Sequence, residues 1–186
     1  MAYLSDDALR AMGFAELGRN VKISDKAAIY GAERMRIGDN SRIDDFCVVS
    51  GKLDVGRNVH FAPFCLVAGG KLGVSFHDFS GLAYGAKVFS QSDDYSGASM
   101  TNPTVPTKWK SERFTEVEIG RHVIVGAGSV ILPGVTLAEG TAVGAMSLVV
   151  RSTDPWSIYA GTPARRLRDR KRDLLDLERQ YLTEAD

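Results

Sequence analysis

The feature that most constrains this chain is a period of six residues. Aliphatic or aromatic residues fall at Leu17, Ile23 and Ile29, at Ile37, Ile43 and Val49, and at Val55, Phe61 and Val67. After a gap they return at Ile119, Val125, Ile131, Leu137, Val143 and Val149. Four places after many of them stands a small or β-branched residue, such as Val21, Ser41, Cys47, Cys65, Ser129 or Ser147. Glycine often follows the aliphatic directly, as at Gly18, Gly38, Gly56, Gly120, Gly126 and Gly144. A step of six matches neither a 3.6-residue helix nor strand alternation. It matches short strands joined by tight corners, three to a coil. Residues one coil apart then stack as parallel strands about 4.8 Å apart. The chain's 19 glycines in 186 residues, above the usual share of about 7%, supply the corners.

This spacing predicts that Cys47 and Cys65 are stacked inward neighbours, reduced and part of the core. About two extra residues are expected near Gly31 to Arg34, and the register drifts between Val67 and Val88. Residues 90–117 interrupt the repeat with Asp93-Asp94-Tyr95-Ser96-Gly97, Pro103, Pro106 and Trp109, and a loop this long in a compact repeat points to function. Ser5 followed by Asp6 and Asp7 reads as the start of a short helix that Gly13 ends. Pro163 reads as the first residue of a C-terminal helix, with Leu167, Leu174, Leu177 and Tyr181 as its packed face. The expected organisation is an N-terminal helix or cap over 1–16, coils over 17–162 with the insertion at about 90–117, and a C-terminal helix over 163–186.

Composition excludes several classes. The 23 basic and 23 acidic residues cancel, which argues against a nucleic-acid-coating protein. A 44% hydrophobic share argues against disorder. No apolar stretch approaches the roughly 18 residues of a membrane span. The N-terminus has no basic region leading into a long apolar one, so a reducing cytoplasm is the expected compartment. Two cysteines and three histidines show no metal-ligand spacing, so no metal is expected.

The hexads, together with Gly126-Ala127-Gly128-Ser129-Val130-Ile131-Leu132-Pro133-Gly134-Val135 and Ala160-Gly161-Thr162-Pro163-Ala164, resemble the hexapeptide-repeat acyltransferases. The resemblance covers residues 17 to about 165. It implies an all-β solenoid, the left-handed parallel β-helix; periodicity alone does not fix the hand, which opposes the usual right-handed crossover. It also implies a homotrimer with sites between subunits, and acetyl-CoA or another acyl-CoA lying along the C-terminal coils. Gly126, Ala127, Gly144, Ala145 and Gly161 would lie beside the pantetheine, with Pro163 on the adenine. Arg165, Arg166 and Lys171 would meet the phosphates. A plain solvated face is the alternative for these basic residues.

Arg42-Ile43-Asp44-Asp45-Phe46-Cys47, the Asp-Asp-Tyr-Ser-Gly loop and Ile158-Tyr159-Ala160-Gly161 narrow the resemblance to nucleotide-sugar N-acyltransferases of the anthrose-pathway kind. That subgroup acts on a dTDP-4-amino-4,6-dideoxyhexose, and the likeness runs nearly the whole chain. The implied role is in surface polysaccharide or O-antigen synthesis. In the O-acetyltransferases of the wider family a histidine follows a coil shaped like Val88-Phe89-Ser90-Gln91-Ser92. Here Asp93 and Asp94 stand there. A hydroxyl needs a general base to attack a thioester near neutral pH, whereas a sugar amine is already partly neutral and needs orientation. The exchange therefore favours N-acylation over the alternative, O-acetylation of a sugar or polysaccharide. A purely structural β-helix is the non-enzyme alternative, and it would bind no CoA.

The subgroup resemblance favours Asp94 as the amine-facing residue; the alternative is that both aspartates cap the loop turn. His60 is the second candidate base and His77 a third, with His122 on a surface corner. Tyr84, Tyr95, Pro103, Thr104 and Asp45 are candidates for the nucleotide sugar, the Asp44-Asp45 pair being placed outside the core. Trp109 is expected near the base and Lys108 and Lys110 near the pyrophosphate. Cys47 and Cys65, facing inward, make poor nucleophiles.

Overall fold

The computed structural model describes residues 2–185. Met1 and Asp186, which the sequence reading places in the two end elements, lie outside the described residues. The chain winds into a three-faced left-handed parallel β-helix. The first face stacks Glu16–Leu17, Met35–Ile37, Leu53–Val55, Val74–Phe76, Val117–Ile119 and Thr136–Leu137. The second stacks Lys22–Ile23, Arg42–Ile43, His60–Phe61, Gly81–Leu82, Ile124–Val125 and Ala142–Val143, then Ser157–Gly161 and Ala164–Asp169. The third stacks Ala28–Tyr30, Val48–Ser50, Leu66–Ala68, Lys87–Phe89, Val130–Ile131 and Leu148–Val149.

The sixfold aliphatics are the inward column of each face. On the second face Ile23, Ile43, Phe61, Leu82, Val125 and Val143 stand in register, each buried. Each such side chain contributes about 1.5–3 kcal/mol by leaving water. Cys47 and Cys65 are both buried free thiols, and their Sγ atoms donate to the carbonyls of Ala62 and Ala83, each at 3.2 Å. The hydrogen bond with Cys47, and burial after it, push the Cys65 thiol up, so neither stacking nor reactivity calls for a disulfide.

The corners explain the sequence irregularities. One corner repeats a left-handed residue at Asn20, Asn40, Asn58, Phe79, His122, Gly140 and Trp156, with φ between 53° and 69°. Asn tolerates this conformation best among residues with a side chain, and Asn20 Nδ2 donates to Asn40 Oδ1 at 2.9 Å. The extra residues near Gly31 form a 3₁₀ turn, Ala32–Arg34. The drift after Val67 is a three-residue insertion, since Val88 pairs with Val67 and Phe76 with Val55. Gly69 lies inside it; a Cβ there would stand 2.0 Å from the Lys52 carbonyl oxygen.

Beside this corner Arg19, Asp39, Arg57 and Asp78 alternate in charge down the stack. Asp39 accepts from the Arg19 backbone N–H at 2.7 Å, and Arg57 N–H donates to Asp78 at 2.9 Å. Hydrogen bonds from Arg19, backbone then side chain, hold the Asp39 carboxyl below its usual range.

At the N-terminal end a helix (α1, Asp6–Ala11) starts at Ser5, whose Oγ accepts from Ala8 N–H at 3.3 Å. Gly13 follows with φ 71°, as expected of a stop. The C-terminal expectation needs correction. Pro163 opens no helix: it follows a cis peptide bond at the tip of an antiparallel hairpin, Ser157–Gly161 with Ala164–Asp169. Arg165, Arg166 and Arg168 are exposed on its outer strand. The helix (α2) is confined to Leu174–Ala185.

Nor is the expected leucine face its anchor. Leu167 and Leu177 are 62% and 64% exposed, and α2 docks through buried Glu178. Glu178 accepts from Arg121 and lies 3.0 Å from His122 Nε2, while Asn58 Nδ2 donates to Tyr181 Oη at 3.1 Å. His122 is therefore no surface decoration. It is buried, stacked on Phe79 at 5.4 Å. Hexad position alone placed it at a corner and gave no sign that a helix returns to cover that corner.

Candidate active site

A cleft of about 1120 Å³ opens on the third face where residues 90–116 leave the coil. Its floor is the outward side of the strands: Val48, Leu66, Ala68, Phe89, Leu132 and Val150. Its wall is the loop, held upright by an antiparallel pairing of Gln91–Ser92 with Arg113–Phe114. Asp93, Tyr95, Pro103, Glu112 and Arg113 line it.

Within the loop the two aspartates divide their work. Asp94 accepts from Ser96 N–H at 2.9 Å, Ser99 N–H at 3.1 Å and Ser99 Oγ at 3.0 Å. These bonds, from Ser96 first and Ser99 after, hold its carboxyl below the ordinary range, so it is an anion near neutral pH rather than a proton acceptor. Asp93 reaches into the cleft and makes one long contact, Asn102 N–H to Oδ2 at 3.4 Å. Tyr95 is 93% exposed. Thr104 Oγ1 donates to Asn102 Oδ1 at 2.6 Å, which ties it to its own turn.

Lys108 lies over the Trp109 ring, its Nζ 5.1 Å from the centroid. Lys110 does not reach outward as expected. Its side chain is 6% exposed and pairs with Glu112 at 3.4 Å. The cation the cleft does present is Arg113, which lies in the aperiodic segment and carries no repeat signal.

The expected Asp44-Asp45 pair also separates. Asp44 is 1% exposed, not outward. It accepts from Arg42 Nε at 3.1 Å and Tyr3 Oη at 3.3 Å, and lies 2.7 Å from His60 Nε2. Three polar partners make burial of this carboxylate tolerable. Asp45 accepts from Ser24 Oγ and pairs with Lys26 at 3.6 Å, and the Ser24 bond holds its carboxyl low. His60 is half-exposed on the second face, away from the loop aspartates. Its Nε2 also lies 3.0 Å from Arg42 Nη2, so the ring sits between the buried carboxylate and the guanidinium. His77 pairs with Glu118 at 3.0 Å on the first face.

The corner between the second and third faces carries the residues expected along an acyl-CoA. Gly126 and Gly144 stack one above the other. A Cβ on Gly126 would stand 2.5 Å from Ala145 N, and one on Gly144 would stand 3.0 Å from Ala160 Cβ. Both glycines are thus demanded by close coil approach. Ala127, Ala145 and Gly161 form the adjacent row, with Tyr84 above them, 64% exposed. Part of the backbone here is already engaged: Met146 N–H donates to the Ala127 carbonyl at 2.8 Å, and Gly161 N–H to Ser147 Oγ at 3.1 Å. The same corner holds Phe46 and Phe64 at φ 61° and 66°, exposed and stacked 5.1 Å apart. Pro163, Arg165 and Lys171 are exposed, whereas Arg166 bonds Ser157 Oγ at 3.1 Å and pairs with Asp154. Among the described residues no cluster of side chains suits a metal ion, and no helix is long and apolar enough to cross a membrane.

The fold is that of the left-handed β-helix acyltransferases. No family profile matches the chain. It is 41% identical over 189 residues, spanning 100% of this chain and 97% of the relative, to dTDP-4-amino-4,6-dideoxy-D-glucose acyltransferase of Escherichia coli. AntD, an N-acyltransferase from Bacillus cereus solved with dTDP and 3-hydroxybutyryl-CoA, superposes with TM-score 0.96 at 41% identity over 98% of this chain and 97% of that one. An aspartate-to-alanine variant of AntD, solved with dTDP and coenzyme A, matches with TM-score 0.96 at 41% identity over 98% of both chains. The chain belongs to the dTDP-4-amino-4,6-dideoxyglucose acyltransferase family of nucleotide-sugar N-acyltransferases.

Proposed function

We propose that this protein transfers an acyl group from an acyl-CoA to the amine of a dTDP-linked 4-amino-4,6-dideoxyhexose. The observation that carries the reading is the cleft under the long loop. It presents Asp93 and, within the loop, anionic Asp94, where the O-acetyltransferases carry histidine. The end-to-end identity to the Escherichia coli relative supports the substrate class. The neutral amine attacks the thioester carbonyl, the carbon–sulfur bond breaks, the amine loses a proton, and CoA leaves as its thiol. Asp94 and Asp93 orient the amine and offset the positive charge that develops on its nitrogen during attack. His60, whose Nε2 is fixed on Asp44, is the second candidate to take the proton.

Tyr84, Tyr95, Pro103 and Thr104 are assigned to the nucleotide sugar. Gly126, Ala127, Gly144, Ala145, Gly161, Pro163, Arg165, Arg166 and Lys171 are assigned to the acyl-CoA. Asp45, tied to Ser24 and Lys26, is the weakest of the assignments. The test is thiol release from acetyl-CoA with a panel of dTDP-, UDP- and GDP-linked amino and hydroxy sugars. Turnover with the dTDP-4-amino sugar, well above every hydroxy sugar, is expected; equal turnover with hydroxy sugars would establish the O-acetyltransferase reading instead.

The working form is a homotrimer. Bulky side chains in left-handed backbone carry strain, and Phe46 and Phe64 accept it while leaving their stacked rings in solvent. A partner subunit covering them resolves that. Light scattering should give three times the 20.2 kDa chain mass, and a single-chain mass would remove the trimer. Synthesis of an acylated sugar for surface polysaccharide or O-antigen, in the cytoplasm, is the role this activity fits.

A further inference from the structure

We infer that Arg113 is the residue that binds the diphosphate of the nucleotide sugar, which makes it a specificity determinant for nucleoside diphosphates. The inference rests on the acyl-transfer reading above. Among the described residues lining the main cleft, Arg113 is the one cation. It shares the cleft with two carboxylates, Asp93 and Glu112, yet pairs with neither: Glu112 is engaged by Lys110 at 3.4 Å. The guanidinium makes a single side-chain hydrogen bond, Nε to Thr115 Oγ1 at 3.3 Å, so the remaining N–H donors have no protein partner among the described residues.

Its placement is built by two features. Arg113 lies opposite Ser92 in the antiparallel pairing, which fixes its backbone beside the start of the aspartate pair. Its guanidinium lies against Gly134, where an added Cβ would stand 3.5 Å from Nη2 and 3.0 Å from Thr115 Cγ2. A planar fork of free donors suits two phosphate oxygens at once. An apolar floor beside it suits the rest of the ligand. The sugar carried by a diphosphate held at Arg113 would extend toward Asp93 in the same cleft.

The test is titration calorimetry of the full-length protein with dTDP and, separately, with CoA. Arg113→Ala should weaken dTDP at least tenfold and leave CoA within twofold. Arg113→Lys, which keeps the charge and loses the fork, should fall between Ala and wild type. In turnover the loss should appear in the KM of the nucleotide sugar rather than in kcat. Unchanged dTDP affinity in Arg113→Ala would overturn the assignment, and so would a selective loss of CoA affinity, which would give the guanidinium to the co-substrate. Binding is read without turnover, so a failure of the acyl-transfer reading shows separately, as absent thiol release by a wild-type protein that still binds dTDP.

Discussion

Asp94→Asn should fold like the wild type and lose about two orders of magnitude in kcat/KM, the scale of a positioned acid–base or charge interaction in the transition state. The carboxylate already takes three hydrogen bonds from Ser96 and Ser99. An amide oxygen retains part of that set, so the loop keeps its shape while the negative charge is lost. Because these bonds hold Asp94 below the usual carboxylate range, it is anionic at any pH above about 4. The wild-type rate should therefore rise with pH as the substrate amine loses its proton, with no limb from Asp94 in that range. Asp93→Asn is the necessary comparison, since Asp93 and not Asp94 lines the cleft. Wild-type kcat/KM in Asp94→Asn, with the loss moved to Asp93→Asn, would make Asp94 a loop cap and Asp93 the amine-facing residue.

The second large effect concerns the core. Phe61 is 1% exposed, in register with Ile43 above and Leu82 below, and its ring lies 4.6 Å from that of Phe76. Phe61→Ala should cost about 3–5 kcal/mol, the transfer term plus a cavity the rigid coils close poorly. Each coil contacts only its neighbours, so the loss falls on two interfaces with nothing remote to compensate. Urea unfolding should show a clear drop in midpoint, with Leu72→Ala, at a 42% exposed position, shifting it little. Equal midpoints for the two variants would show that the inward column does not carry stability.

The coil was legible because its signal repeats. Ile23, Ile43, Val125 and Val143 sit where the six-residue step places them, and Cys47 over Cys65 followed from spacing alone. The hand of the helix came only from family resemblance, since periodicity is the same for either hand. What failed had no period. The three-residue insertion after Val67 sits at a corner, where added residues cost the inward column nothing. Pro163 suits a helix start and a cis turn equally well as far as composition goes. Asp44 occupies a hexad position where Ala62 and Ala83 stand in the next coils, and only its contacts with Arg42, Tyr3 and His60 explain a buried acid there. In the site, the aspartate pair was visible as an interruption of the repeat, whereas Arg113 was hidden inside it.

The reversed hairpin at the C-terminal end has a consequence for how long such an object grows. A stack of near-identical coils ends in unpaired backbone donors and acceptors that would template another molecule end to end, the hazard of any open β edge. Here only the second face continues past the last coil, and it continues backwards, through Ala164–Asp169, with Arg165, Arg166 and Arg168 along the terminal strand. Arg170 Nη1 closes the neighbouring corner by donating to the carbonyls of His122 at 2.7 Å and Gly140 at 3.1 Å. A second copy arriving in the direction of the coils meets a strand of opposite polarity that carries exposed arginines. The hairpin thus works as a terminator, keeping a fold that could extend into a fibre at the length of one enzyme.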